Sequence, residues 1–321
     1  MTVSGPARVT APASGLVSRL NARLRRDHEL HLKIDRLERL VERVLENQKR
    51  DQKWRAVFRQ QLNALVRHTY LADATVPSPH SLQGRRFRLR SQNEEDGIVL
   101  ALLSAAGVKT RRFVEIGCGR NGGNSAVLAF DFGWGGLMVD ANAKAVSRLQ
   151  QALRWNKAVA VVRAHVEPGS FNDLLRTHGA TGEIDLLSID IDSVDYWLLE
   201  ALEACAPRVL VMEYNAMFGP DRAVTVPNAP LPAGAPKGYG GASLAALERL
   251  ARRKGFRLVV CEEAGVNAFF LRDDLAPDIV GLPSAAAFRP ARDRYDLDEV
   301  RTPETDIYQV IERHRLPLVD V

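Results

Sequence analysis

Residues 113–124 read F-V-E-I-G-C-G-R-N-G-G-N, and a second apolar run, G-L-M-V-D, ends on Asp140. A short β-like run with a carboxylate near its end leads into a glycine-rich turn, and another such run ends on a carboxylate. This is the layout of a nucleotide-type cofactor site at the carboxyl edge of a parallel sheet. Glycines 117, 119 and 122 let the backbone pass close to a ligand with no Cβ in the way. Asp140 is placed to accept hydrogen bonds from a ribose diol. Dinucleotide-binding strands usually run apolar straight into the first glycine, which leaves room for a pyrophosphate. A carboxylate at Glu115 repels that dianion and favours a cationic ligand. S-adenosylmethionine (SAM) carries a sulfonium and an ammonium and no phosphate. The bland alternative is that Glu115 hydrogen-bonds the turn itself.

Outward from this stretch the pattern alternates. Helix 95–105 precedes strand 112–116; helix 124–130 leads to strand 136–140, and helix 142–154 to strand 158–163. Helix 171–177 leads to strand 184–190, and helix 195–204 to strand 207–214. Such alternation builds a mostly parallel sheet with helices on both faces. Residues 216–241, with five prolines and five glycines, interrupt it. Ser243 caps a helix over 244–254 that stops at Gly255. The last two runs, R-L-V-V-C and N-A-F-F-L-R, are joined by a turn too short for a parallel crossover, so they form an antiparallel hairpin.

The fourth strand ends D-L-L-S-I-D-I-D and the fifth V-L-V-M-E-Y-N. Ligands of open α/β sheets sit at these ends, so Asp190, Asp192 and Asp195 meet Glu213 and Asn215 there. Asp190, Glu213 and Asn215 are hard oxygen donors that suit Mg2+, and such an ion lowers the pKa of a substrate hydroxyl. Without a metal, Asp190 or Asp192 is the candidate general base. The competing reading is that these acids cap helix 195–204. A structureless stretch as long as 216–241 is either a lid or a surface insertion; Tyr214, Phe218 and Tyr239 are the residues a lid would close with. The seven histidines form no metal-ligand spacing, and His165, after the third strand, reads as a surface residue.

The chain of 321 residues is 46% hydrophobic and 26% charged, ordinary for a globular protein. No apolar run approaches the ~20 residues that cross a bilayer. The N-terminus shows no apolar signal-peptide core. Cys118, Cys205 and Cys261 make no ligand pattern and read as reduced thiols, so the expected location is the cytoplasm. Charge is uneven: residues 1–75 hold 15 Lys and Arg against 8 Asp and Glu, net +7, which leaves −2 for the remainder of the chain's +5. Residues 1–15 read as disordered and 16–72 as an amphipathic helix or short coiled coil. Leu30, Ile34, Leu37, Val41 and Val44 follow a heptad seam; Phe58, Leu62 and Leu65 resume its phase. Self-association through residues 30–65 is the expectation. Without interleaved aromatics the basic segment makes no nucleic-acid case. Residues 73–88 read as a linker, 89–282 as the SAM-binding domain and 283–321 as a C-terminal tail.

Residues 89–272 resemble the class I SAM-dependent methyltransferases, and within them a group of bacterial proteins distantly related to the FkbM-type enzymes. The resemblance rests on S-Q-N-E-E-D-G-I (91–98), F-V-E-I-G-C-G (113–119), G-L-M-V-D (136–140), D-L-L-S-I-D-I-D (185–192), E-Y-N-A-M-F-G-P (213–220), Y-G-G-A-S-L (239–244) and N-A-F-F-L-R (267–272). It implies a seven-stranded Rossmann-like sheet, SAM held by Glu115, Gly117, Gly119 and Asp140, and Asp190 near the methyl-transfer edge. It also implies O-methylation, often of sugars or natural products. The chain departs from the group at Glu94 and Ser193, where glycine is expected. If the turn after Asp192 needs positive φ at 193, a serine there strains or reshapes the site. The sequence therefore points to an O-methyltransferase with a small-molecule or glycan acceptor. A non-catalytic scaffold acting through its N-terminal helix and an NAD-dependent enzyme are the alternatives.

Overall fold

The structure, a computed structural model, describes residues 42–43, 46–47, 81–236, 238–292 and 306–321. The chain divides into two units, Met1–Gln60 and Gln61–Val321, and the account below concerns the second. The disordered start, the heptad seam and the self-association segment at 30–65 lie outside the described residues, save for 42–43 and 46–47, which are helical and exposed.

Seven strands form one sheet: β1 Arg112–Ile116, β2 Gly135–Asp140, β3 Val159–Arg163, β4 Gly182–Ile189, β5 Cys205–Glu213, β7 Phe256–Cys261 and β8 Asn267–Arg272. A two-residue β6, Val224–Thr225, precedes the last pair. The order is β3-β2-β1-β4-β5-β8-β7. All ladders are parallel except those of β8, which runs against both β5 and β7. This is the mostly parallel sheet that the alternation predicts, with the terminal hairpin that the short turn predicts, and the seven-stranded Rossmann-like sheet that the resemblance implies. The central strands are mostly apolar because both faces are covered, with Glu115, Asp185 and Ser188 as buried polar exceptions. Pro207, which cannot donate a ladder bond, lies near the start of β5, before residues 209–213 where that strand gains its second neighbour.

Helices α1 Glu95–Ala106, α2 Ala126–Phe130 and α3 Ala143–Ala152 contribute to the core on one face with Phe113, Met138, Leu186 and Phe269. Helices α4 Pro168–Thr177, α5 Asp195–Ala201 and α6 Leu244–Arg253 cover the other, against Val114, Ile116, Leu187 and Ile189. The Asn142 side chain caps α3 by accepting from Lys144 N (2.9 Å) and Ala145 N (3.2 Å). Ser243 caps α6 as expected, and Gly255 follows it at φ +81°.

Two boundaries differ from the sequence reading for tertiary reasons. Helix α5 stops at Ala201, three residues early, because Asn172 of α4 takes over the freed backbone groups. Its Nδ2 donates to Ala201 O (2.7 Å), and its Oδ1 accepts from Glu203 N (2.8 Å) and Ala204 N (2.9 Å). The expected linker 73–88 is built into the fold from residue 81 onward. Gln83 Nε2 donates to Cys261 O (2.8 Å), and Arg86 pairs with Glu263 (3.2 Å) and Glu94 (3.5 Å). The tail also has a place. After α7 Ser284–Ala287, the segment α8 Ile307–Arg313 and β9 Val319–Asp320 returns to the body, and β9 pairs antiparallel with β6. Among the described residues no helix is long and apolar enough to cross a membrane. The three cysteines are free and buried.

Candidate active site

The strand order reverses between β1 and β4, where ligands of open α/β sheets bind. Ile116 and Ile189 are paired at this point, so the glycine turn and Asp190 leave the sheet side by side. Gly117 sits at φ +89°, and a Cβ there would collide with the carbonyl oxygen of Asp190; the close approach demands glycine. Gly119 N donates to Asp140 Oδ2 (2.8 Å) and Asn142 N to Asp140 Oδ1 (2.7 Å). Asp140, half-buried, thereby ties the glycine turn to the end of β2, and lone pairs on both oxygens remain for a ligand.

Glu115 is placed differently from the cofactor contact expected of it. It is fully buried beneath the turn, where its carboxylate accepts from Asn124 N (3.2 Å) and Ser125 N (2.8 Å). Gly123 permits this, since a Cβ at 123 would strike the carboxylate. Burial pushes the Glu115 carboxyl up to about 7, against the pull of these hydrogen bonds. Glu115 holds the turn from below and offers no exposed oxygen to a ligand.

The acids after β4 divide by role. Asp195 is buried and accepts from Ile191 N (2.8 Å) and Ser193 N (2.9 Å), so it stabilises the turn and the start of α5. Asp190, Asp192 and Glu213 instead converge, each offering an oxygen within 4.8 Å of the others. Burial, together with the neighbouring acids, raises the Asp190 carboxyl. Burial and the charges of Asp190, Asp192 and Asp195 raise Glu213. The two carboxyls face each other closely enough that each raises or answers the other's proton affinity. Asn215 does not join this group. Its Nδ2 donates to Gly238 O (2.7 Å) and Gly240 O (2.9 Å), and its Oδ1 accepts from Met217 N (3.0 Å). The expected metal ligand is a clamp on the following loop, and Asp192 takes its place among the acids. Ser193 is not at positive φ. The left-handed residue is Asp192, at φ 60°, a conformation that aspartate tolerates better than most residues.

Residues 216–236 and 238–241 are more tied down than their composition suggests. Gly241 N donates to Ser193 O (3.0 Å) and Trp197 Nε1 to Val226 O (2.8 Å), fastening the loop to the turn after β4. Its apolar side chains Phe218, Val224, Val226 and Tyr239 form a small core with Ile307 and Ile311 of the tail. Tyr239 Oη donates to Pro317 O (2.6 Å), and Tyr308 Oη to Phe218 O (2.7 Å). The loop borders a cleft of about 240 Å3 with Asp192 and Glu213 on its wall, beside Met217, Tyr239 and Val266. His165, His178 and His314 are all exposed.

One buried network escapes sequence reasoning. Asn124 Nδ2 donates to Ser188 Oγ (3.1 Å) and Asn267 Oδ1 (3.4 Å), and Asn267 Nδ2 donates to Glu95 Oε1 (3.1 Å). Glu95 also accepts from Asn93 N (2.7 Å) and Asn93 Nδ2 (2.9 Å). This chain joins the glycine turn to α1 and β8 under the site. Asn93 and Glu95 fall in the 91–98 stretch, Asn124 in 113–124, Ser188 in 185–192 and Asn267 in 267–272, where a polar residue beside an apolar run was the available signal.

A family model described as NMT1/THI5 like matches residues 41–155. That is just over a third of the chain, ending before the strands that carry Asp190 and Glu213, and it leaves the family open. No curated protein matches the chain. Among solved structures, the methyltransferase domain of bacterial CtHen1-C is 13% identical, over 56% of this chain and 97% of that one, with a TM-score of 0.38. The N-terminal domain of EvdMO1, with SAH bound, is 14% identical, over 56% and 80%, with a TM-score of 0.37. A SAM-dependent methyltransferase from Aquifex aeolicus is 13% identical, over 54% and 87%, with a TM-score of 0.32. Likenesses at these scores carry no weight on activity; strand order and side-chain geometry do.

Proposed function

We propose that this chain is a SAM-dependent methyltransferase acting on a hydroxyl group of a sugar or other small molecule. The observation that carries the reading is the meeting, at the switch point, of a glycine turn held by Asp140 with the Asp190–Glu213 carboxyl pair. The residues fit SAM: Asp140 keeps acceptor capacity for a ribose diol, and the turn it fastens is free of Cβ atoms where the chain passes closest to Asp190. When bound, SAM supplies an electrophilic methyl group.

The remaining chemistry belongs to the side chains. Burial and the crowding of acids raise both Glu213 and Asp190 above the usual carboxylate range. A carboxylate of raised pKa is a better-matched base for a hydroxyl than an ordinary one, so Asp190 would take the acceptor's proton as the new O–C bond forms. Asp192 and Glu213 on the cleft wall would hold that hydroxyl in place. The three convergent carboxylates also fit a hard divalent cation such as Mg2+, which would relieve their mutual repulsion and acidify the same hydroxyl.

Isothermal calorimetry with SAM and with NAD tests the reading. SAM is expected to bind, Asp140→Ala to lose that binding, and Asp190→Asn to retain it while methyl transfer from labelled SAM to fractionated cell extract is lost. Binding of NAD in place of SAM would overturn the proposal. That arm matters because Glu115 is buried and close to half-protonated near neutral pH, so its charge repels a pyrophosphate less than the sequence suggests. The scaffold alternative loses one support, since Ser193 adopts an ordinary backbone conformation.

A further inference from the structure

At the other end of the sheet, the first residues of β1, β2 and β3 border a cleft of about 490 Å3. Arg111, Arg112, Lys157 and His178 line it together with the nearly buried Trp134, and no acidic side chain does. Helix C-termini gather at this edge of a parallel sheet, and their partial negative charge is an ordinary reason to find cations there. Arg112 answers to that reason: its Nη2 donates to the carbonyl of Gly179, just past α4. Arg111 and Lys157 do not. Both are exposed, and among the described residues neither side chain has a hydrogen bond or an ion pair. The carboxylate at the start of β4, Glu183, is already shared by Lys109, Arg208 and Arg272.

The backbone adds an independent observation. Arg111 lies at φ 52°, in the left-handed region. The conformation is imposed by fully buried Asp185, which accepts from Lys109 N (2.8 Å), Thr110 N (2.7 Å) and Arg111 N (2.5 Å). Three successive amides on one carboxylate make a tight turn with Arg111 at its end. Glycine would take this conformation without strain. Arg111 is thus an exposed long cation on a strained turn at the edge of the cleft.

We propose that this cleft binds a phosphate-bearing small molecule through Arg111, Arg112 and Lys157. The unpaired Arg111 and Lys157, with the remaining donors of Arg112, provide charge-assisted hydrogen bonds to phosphate oxygens in a concave, acid-free site. The volume exceeds that of a phosphate ion and admits an organic group beside it. Phe132 and Trp155, 55% and 56% exposed in the turns beside Gly133 and Lys157, offer it apolar surface.

Calorimetry on the full chain with inorganic pyrophosphate, and separately with ADP, tests this. Both are expected to bind, and Arg111→Gly and Lys157→Ala to weaken each by about tenfold or more, the loss of one charge-assisted contact. Arg111→Gly should also raise the melting temperature, because it relieves the left-handed strain, so loss of binding cannot be ascribed to unfolding. Asp140→Ala should leave pyrophosphate binding unchanged, which separates this cleft from the cofactor site. Failure of pyrophosphate to bind at millimolar concentration, or equal affinity in Arg111→Gly, would overturn the assignment. So would a single-stranded oligonucleotide that binds here and is not displaced by pyrophosphate.

Discussion

Asp192 and its neighbour Ser193 separate two explanations that the sequence alone leaves tangled. The chain lacks a glycine at 193, yet the positive φ lies at 192. Ser193→Gly is therefore expected to leave stability and methyl transfer nearly unchanged. Asp192→Gly should raise stability by about 1 kcal/mol through relief of the left-handed conformation, and lower acceptor turnover because a carboxylate leaves the cleft wall. Differential scanning fluorimetry beside a turnover assay reads both; a Ser193→Gly variant that gained activity would return the strain to 193. Asp140 and Asp190 were legible as residues at strand ends because strand ends follow from hydrophobic runs. The burial of Glu115 was not, since it depends on Gly123 admitting the carboxylate beneath the turn.

The loop 216–241 and the tail 306–321 act as one element. Each alone has too few apolar side chains to form a core; together they bury Phe218, Val224, Val226, Tyr239, Ile307 and Ile311. Truncation after residue 305 is expected to expose this apolar surface and make 216–241 sensitive to limited proteolysis, with SAM affinity unchanged and acceptor turnover lost. A loop that stayed protease-resistant after truncation would show that its anchors to Asn215, Ser193 and Trp197 suffice. Self-association through residues 30–65 stands as a proposal from the heptad seam. Light scattering on the full chain and on a variant lacking residues 1–75 checks it, with a fall to monomer mass expected on deletion.

Buried carboxyls beneath the carboxyl edge of the sheet give the whole molecule a pH dependence. Burial holds Glu115 at about 7 and raises Glu262 to about 8, the latter also through the charge of Glu95. Both folded values exceed the unfolded value of about 4.3. The folded state therefore binds more protons, and the stability contributed below about pH 4 is lost as pH rises through 7 to 8. Glu183 works in the opposite direction. Lys109 and Arg272, hydrogen-bonded to it, hold it at about 2, so its contribution is lost as the solution is acidified below about 4. The melting temperature at constant ionic strength is expected to peak in mildly acidic buffer and to fall towards pH 8.5. Glu115→Gln should flatten that fall; an unchanged slope would take Glu115 out of the account.

The sequence by itself determined the α/β alternation, the mostly parallel sheet, the closing hairpin and the residues at strand ends. Each of these follows from local hydrophobic period and turn chemistry. Tertiary structure alone decided which polar groups stay open at the sheet edge and which are consumed in holding the fold. Glu115, Asp195 and Asn215 looked like site residues and proved to be turn and loop holders, because backbone N–H and C=O groups from other segments reach them. Arg111 and the cleft around it carried no sequence signal, because the cleft exists only where the starts of three strands meet. Strand ends are a one-dimensional property; the partner of a buried carboxylate is a three-dimensional one.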